Sequence, residues 1–396
     1  MSLLTPMRCT QAPRVLILDG FWNKTLAAVR SLGRRGFFVA VGERTRFAPA
    51  VVSRYCCRRL VYPSVAGQPE DFLAALEREL ATGRYDVLLP MELSTQLLVT
   101  RNRERLEKLV RIPFADPDLA FRIDDKAFLA SFAREHDIDA PATFFPAGPE
   151  EATALATELS YPVLIKPCHS SGGRGIVRVD REAEFPSGYA RVRARDPRPI
   201  VQACLPPGGD ALGVGVLMNF ASEAKAAFAY RRLREYPITG GPSTLRESIW
   251  DRELVGIAER LLSLLGWVGV AMVEFKVDPR DGRPKLLEVN PRFWGSLHHA
   301  IACGVDFPFL LYTLAMEGDV RRVCGYQVGG RSRSLLHGDL LHFLKNPNRF
   351  HLTPAFHDFS IPDDVLSLDD PFPTLGRIAS LFALVHDREL RAMVRG

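Results

Sequence analysis

Two carboxylates and an amide stand out in GVAMVEFKVD, residues 269–278, and RPKLLEVNPR, residues 283–292. Both stretches read as strands, over 269–277 and 285–290, and the segment between them centres on Asp281-Gly282, a strong turn signal. Alternate residues of a strand share a face. That puts Met272, Glu274 and Lys276 on one face, and Leu286, Glu288 and Asn290 on one face of the partner. Pairing symmetric about residue 281 sets Glu274 opposite Glu288. Like charges opposed across a sheet destabilise it unless something neutralises them. Two carboxylates and an amide oxygen on one face suit Mg2+, which takes hard oxygen ligands and keeps positions open for phosphates. The competing reading, a solvated face, fits less well beside the strong helix that precedes these strands. Arg292, just beyond, is placed to reach a phosphate.

The stretch YPVLIKPCHSSGGRGIVRVD, residues 161–180, ends a strand at Lys166 and runs through Ser170, Ser171, Gly172, Gly173 and Gly175 into the next. Hydroxyls and unhindered glycine amides are what a phosphate chain needs around it, and a lysine supplies a point charge at the rim. A glycine hairpin with a surface lysine has the same composition, so the loop alone leaves both readings open. Lys126 stands in the first turn of a helix from about Asp125 to His136, where a cation works against the helix dipole. Downstream, Arg231, Arg232, Arg234 and Arg246 flank a turn at Gly240-Gly241. Bidentate arginines suit phosphate, and Arg232 and Arg246 are singled out, against the alternative of a basic surface loop. His298 and His299 are read as structural, and Trp250, Trp267 and Trp294 as core packing.

These residues need elements to hold them. Residues 14–18 read as a buried strand, 24–32 as a helix, 37–41 as a strand, 72–80 as an amphipathic helix and 85–89 as a strand. This βαβ alternation implies a parallel sheet with covering helices. Its first turn, DGFWNKT, lacks GxGxxG, which disfavours a dinucleotide. Open α/β sheets bind ligands beyond the carboxyl ends of their strands, so Asp19 and Glu92 are substrate-side candidates. Prolines punctuate the chain from Pro113. Strands follow at 161–166, 175–179, 199–203, 212–218 and 226–231. Asp251 is set to cap a helix whose Leu254, Ile257, Ala258, Leu261, Leu262 and Leu265 share a face, with Gly266 just past its end. Short helical patterns appear at 334–344 and 374–394.

The 396 residues suggest two or three domains. Hydrophobic content of 47% and charged content of 24% exclude disorder, collagen and a bare coiled coil. The net charge of +5 is weak and its arginines are scattered, so nucleic acid is not the expected partner. Only eight of the 51 basic residues are lysine, which makes each lysine's position informative. Seven cysteines without ligand spacing read as reduced thiols. No signal peptide or membrane span is expected, and the expected location is cytoplasmic.

In order, DDKAFL, PVLIKP-CHSSGGRG, IVQACLPPGGD and VEF…LLEVNPRFWGS resemble the ATP-grasp superfamily, in its carboxylate–amine ligase and carbamoyl-phosphate-synthase-like branch. The resemblance covers about residues 14–318. It implies an α/β and α+β fold: a Rossmann-like N-terminal domain over 1–115, a first ATP-grasp subdomain over 116–198, a second over 199–330 and a helical tail over 331–396. Lys126 and Lys166 match the two nucleotide-phosphate lysines, and Ser170, Ser171, Gly172, Gly173 and Gly175 fall in the loop over the phosphates. Gln202, Ala203, Cys204 and Leu205 match the hinge whose backbone meets adenine, and Asp210 the acid near the ribose. Glu274, Glu288 and Asn290 match the ligands of Mg2+, or of Mn2+ in its place, and Arg292 the arginine beside the transferring phosphate. Arg232 and Arg246 lie in a stretch that borders the acyl phosphate in related chains. The hinge departs from the usual Gln-Glu at Gln202-Ala203. The implied activity is ADP-forming: ATP phosphorylates a small-molecule carboxylate, and an amine attacks the acyl phosphate. Carbamate or bicarbonate phosphorylation and a silent ATP-binding module are the alternatives. The tail beyond 330 is expected either to cap the site or to form a homodimer contact; neither nucleic acid nor membrane is an expected partner.

Overall fold

The computed structural model describes residues 12–170, 173–238 and 240–386. The N-terminal part alternates β1 (Arg14–Ile17), α1 (Asn23–Arg34), β2 (Phe38–Glu43), β3 (Arg58–Val61), α2 (Pro69–Gly83), β4 (Val87–Leu89), α3 (Leu93–Arg101) and α4 (Arg103–Leu106). Its strands are all parallel, in the order β3-β2-β1-β4. Val15, Leu16, Ile17, Val39, Val41 and Leu88 are fully buried between helices, which is why these strands read as apolar runs rather than alternations. Two helices, α5 (Pro117–Asp124) and α6 (Lys126–Glu135), lead to a small antiparallel sheet. That sheet is built from β5 (Thr143–Phe144), α7 (Pro149–Ala156), β6 (Val163–Lys166), β7 (Val177–Val179), α8 (Phe185–Arg193) and β8 (Ile200–Ala203), in strand order β5-β8-β6-β7.

A larger sheet follows: β9 (Ala211–Met218), β10 (Ala224–Glu235), β11 (Ser243–Ile249), then α9 (Arg252–Leu264), β12 (Gly269–Val277) and β13 (Pro284–Asn290). Asp251 caps α9 as its sequence predicts, its side chain accepting from the Leu254 amide at 2.9 Å. Leu254, Ala258, Leu261 and Leu262 pack with Trp267, Val273 and Phe275 against the far face of this sheet. The chain continues through α10 (Leu297–Ala302), α11 (Phe307–Glu317), β14 (Arg331–Arg333), α12 (Leu340–Lys345) and α13 (Phe372–His386). The full order is β13-β12-β9-β10-β11-β14, antiparallel throughout. The segment after residue 330 therefore supplies an edge strand as well as helices. Part of the expected helix at 374–394 lies outside the described residues. No described helix is long and apolar enough to cross a membrane.

Candidate active site

The large sheet presents the carboxylates. Glu274 pairs with Glu288 and Met272 with Asn290, as turn symmetry predicts. Beyond Glu274 the register slips, Phe275 pairing with Leu286, so Leu287 is the extra residue of a β-bulge. The bulge reverses the alternation. Leu286 joins Phe275 and Val289 in the core instead of sharing the face of Glu288, a correction that strict alternation cannot foresee. Asn290 Nδ2 lies 3.3 Å from both Glu274 Oε1 and Glu288 Oε1. Arg232 pairs with the other oxygen of Glu274, and Lys126 Nζ lies 3.5 Å from Glu288 Oε2. Burial and the neighbouring Glu288 raise the pKa of Glu274, against the pull of Arg232. This is a half-satisfied acidic pair held by borrowed cations. With its amide turned over, Asn290 presents Oδ1 beside the two carboxylates, a set of hard oxygen donors whose chemistry fits Mg2+ or Mn2+.

The two lysines and the glycine loop come from the small sheet and α6. Asp125 caps α6 through the Ala127 and Phe128 amides at 2.7 and 3.3 Å, which fixes Lys126 as the first helical residue. Lys126 Nζ donates to the Ser170 carbonyl. Lys166, at the end of β6, donates to Gln202 Oε1 at 2.6 Å, and Gln202 Nε2 donates to Thr143 Oγ1 at 2.9 Å. Both lysines are buried. Burial and the charge of Lys126 lower Lys166 to about 8, although Glu288 opposes them. The Ser170 hydroxyl is buried without a partner among the described residues. Gly173 and Gly175 have φ of 76° and 73°, a backbone region that demands glycine. A Cβ on Gly173 would stand 3.3 Å from the Gly240 carbonyl, so the loop lies against the β10–β11 turn. Ser171 and Gly172 lie outside the described residues.

In the hinge, the Ala203 and Cys204 amides are taken by the Ala142 and Pro162 carbonyls at 2.8 and 3.2 Å. Leu205 is buried, while Asp210 sits exposed at the rim with Arg231 at 3.8 Å.

Arg232 and Arg246 stand directly opposite each other on β10 and β11. Each cation has its own acid. Arg232 has Glu274, which with Tyr230 keeps it firmly charged although burial works the other way. Arg246 has Asp364, and its other nitrogens reach Ser332 Oγ at 3.0 Å and the Ser243 carbonyl at 3.4 Å. Arg246 thus does not stand free for a phosphate, as its spacing suggested; it fastens the C-terminal segment to the sheet. Arg292 is half-buried, and its Nη1 donates to the Phe293 carbonyl at 2.9 Å. Glu92 faces it from the N-terminal sheet, 2.6 Å from Lys24 Nζ. Burial would raise Glu92, but Lys24, Arg292 and Arg174 together hold it below the usual carboxylate range.

Asp19 is not free for a substrate. It accepts from the Met91 and Glu92 amides at 2.9 and 2.8 Å and from Thr95 Oγ1 at 2.7 Å, fixing the start of α3, and burial pushes it to about 6. Lys24, which the sequence reading did not single out, stands beside Glu92, and the scarcity of lysine was the one signal that pointed to it. Trp250 is 56% exposed, contrary to the core role expected of it, while Trp267 and Trp294 are buried. His299 is buried against Phe228 and Tyr230, and its pKa falls to about 3 from burial and the charge of Arg246.

Residues 125–198 match the family described as the carbamoyl-phosphate synthase L chain, ATP-binding domain. Residues 218–331 match ATP-grasp in the biosynthetic pathway with Ter operon. The two spans contain Lys126, Lys166, the glycine loop, Arg232 and the Glu274–Glu288–Asn290 cluster. Over these two spans the chain resembles ATP-grasp proteins. An ATP-grasp fold is also what its structural likenesses share. Biotin carboxylase from Campylobacter jejuni, in a complex named for βγ-ATP, superposes with a TM-score of 0.66 at 16% identity over 81% of this chain and 74% of that one. L-amino acid ligase from Bacillus licheniformis gives 0.57 at 18% over 79% and 78%. The mitochondrial acetyl-CoA carboxylase of Saccharomyces cerevisiae (strain YJM789) is 27% identical over 198 residues, 46% of this chain and 9% of that protein. This chain therefore spans about a tenth of the length of the curated relatives it matches. All three named proteins are enzymes.

Proposed function

We propose that the chain is an ADP-forming carboxylate–amine ligase: ATP phosphorylates a small-molecule carboxylate, and an amine then displaces phosphate to leave an amide. The observation that carries this reading is the meeting of Lys126 with Glu288, 3.5 Å apart. A lysine beside the glycine loop and a carboxylate of the opposed pair thereby share one cleft. Bound at Glu274, Glu288 and Asn290, Mg2+ or Mn2+ supplies neutralisation of phosphate charge. Lys126 and Lys166 take the phosphates of ATP, and the loop of Ser170, Gly173 and Gly175, continuing through Ser171 and Gly172, excludes water that would hydrolyse the acyl phosphate. Arg292 and Arg232 stabilise charge on the phosphoryl group in transit. Gln202 to Leu205 and Asp210 receive the nucleoside. The division at residues 115, 198 and 330 belongs to this proposal, and so does a cytoplasmic location, which the free thiols of the described cysteines support.

A coupled ADP-release screen of pooled carboxylic acids against pooled amines tests it. ADP release dependent on one acid and one amine is the expected result, with Glu288→Gln abolishing it; retained turnover in that variant sinks the metal assignment. A second reading, bicarbonate as the acid phosphorylated, is favoured by the likeness to biotin carboxylase and acetyl-CoA carboxylase. ADP release with bicarbonate and no organic acid selects it.

A further inference from the structure

The N-terminal sheet and the metal strand meet at the chain Pro291-Arg292-Phe293. Gln96, fully buried on α3, donates from Nε2 to the Pro291 carbonyl at 3.0 Å. Lys24, on the first turn of α1 and 2% exposed, donates from Nζ to the Phe293 carbonyl at 3.1 Å. That same Phe293 oxygen accepts Arg292 Nη1 at 2.9 Å. The carbonyls on either side of Arg292 are therefore both gripped by N-terminal side chains, and one of them anchors the guanidinium itself. Glu92 orients Lys24 at 2.6 Å, and Asp19 fixes the turn that carries Glu92.

We propose that Lys24 and Gln96 are positioning residues for Arg292, so that the N-terminal domain sets where the phosphate-facing arginine stands. A surface-exposed lysine and glutamine would serve solubility; these two are buried and spend their donors on the backbone that carries one functional side chain. Orientation of a charge-stabilising group is worth much of a catalytic rate, and a shift of an ångström costs about a hundredfold. Removing Gln96 takes the donor from the buried Pro291 carbonyl, in the peptide that leads into Arg292, and removing Lys24 leaves the Phe293 carbonyl to Arg292 Nη1 and loosens the anchor of the guanidinium. The inference rests on the role given to Arg292 in the proposed ligase.

The test uses the full chain. Gln96→Met removes one donor, and Lys24→Met with Glu92→Gln removes both charges of the pair together, so neither variant buries a lone charge. Each is combined with Arg292→Ala in a double-mutant cycle. Three quantities are read: ADP release at saturating Mg–ATP with the most active pool, calorimetric affinity for Mg with β,γ-imido-ATP, and the Nε–Hε resonance of Arg292 in 15N-arginine protein, assigned through its loss in Arg292→Lys. Both variants are expected to slow release by about tenfold or more, to keep nucleotide affinity within about twofold, to add nothing to Arg292→Ala, and to shift the resonance. Release at the parent rate, losses that multiply with that of Arg292→Ala, or an unmoved resonance overturns the inference. A parent chain without turnover in any pool, or Arg292→Ala at full rate, defeats the ligase reading instead; the resonance then decides positioning by itself.

Discussion

At the scale of single residues, the site is organised by which charge meets which. Arg232 and Arg246 oppose each other across two strands, and only separate acids make that tolerable. Their fates then diverge. Arg232 stays beside Glu274 and belongs to the cleft, whereas Arg246 is sealed against Asp364. Arg246→Ala takes from the buried Asp364 carboxylate its guanidinium partner and leaves it His298 at 3.4 Å, a loss of about 3–5 kcal/mol. Denaturant unfolding should show that drop, and Arg246→Ala with Asp364→Ala together should recover part of it. Lys166→Met, by contrast, should leave the unfolding midpoint near that of the parent and weaken binding of Mg with β,γ-imido-ATP by at least about tenfold, since a charge-assisted contact to phosphate is worth about 1.5–3 kcal/mol; unchanged affinity would remove Lys166 from the site. The sequence could mark all three residues as cations near a turn. It could not tell Arg246 from Arg232, because Asp364 lies 118 residues downstream.

At the scale of elements, the face of the sheet that carries Glu274 is kept flat by glycine. Gly215 stands opposite Met272, and a Cβ there would come within 2.3 Å of the Trp294 ring. Gly215→Ala must push Trp294 and the PRFW turn away from the sheet. Overpacking of this kind costs about 1–3 kcal/mol, and ADP release should fall with it; a variant with parent melting temperature and turnover would show that the turn is free to yield. The β12–β13 pair was legible down to its register at Glu274 and Glu288, because a strong turn and a two-residue repeat fix it. The bulge at Leu287 was not, since nothing local distinguishes Leu286 from Leu287. Strand β11 was not predicted for a related reason: STLRESI mixes polar and apolar residues, and its charged ones find partners far away in sequence, Glu247 with Arg231 and Arg331 of the flanking strands and Arg246 with Ser332 and Asp364. Helices α10 and α11 were also missed. The βαβ order of the N-terminal part and the cap and face of α9 were readable, as periodicity and capping are local signals.

At the scale of the whole molecule, buried titratable groups make stability a function of acidity. His299 has a folded pKa of about 3, against an ordinary 6.5. The unfolded chain takes up that proton first, so the histidine's contribution is present above about pH 6.5 and is lost as pH falls toward 3. Its surroundings are Phe228, Tyr230, Arg246, Asp364 and His298. His299→Phe should flatten the fall in melting temperature across that interval relative to the parent, by a shift equivalent to a few kcal/mol; parallel curves would place the acid sensitivity elsewhere. Asp19, raised to about 6 by burial, acts in the opposite sense and is common to both proteins.

The C-terminal segment has a consequence for how the chain is made. Arg30, buried in α1, receives its carboxylate from Asp370, 340 residues later, and Asp370 also accepts Ser53 Oγ at 2.7 Å and the Arg54 amide at 2.8 Å. An emerging polypeptide completes β1–β4 long before that partner leaves the ribosome. Until then the first domain carries an uncompensated guanidinium where its core should close. Synthesis order and structural completion therefore run out of step: the earliest part to fold is among the last to be finished, and a ribosome stalled before Asp370 would hold a domain that has its sheet but not its final neutral interior.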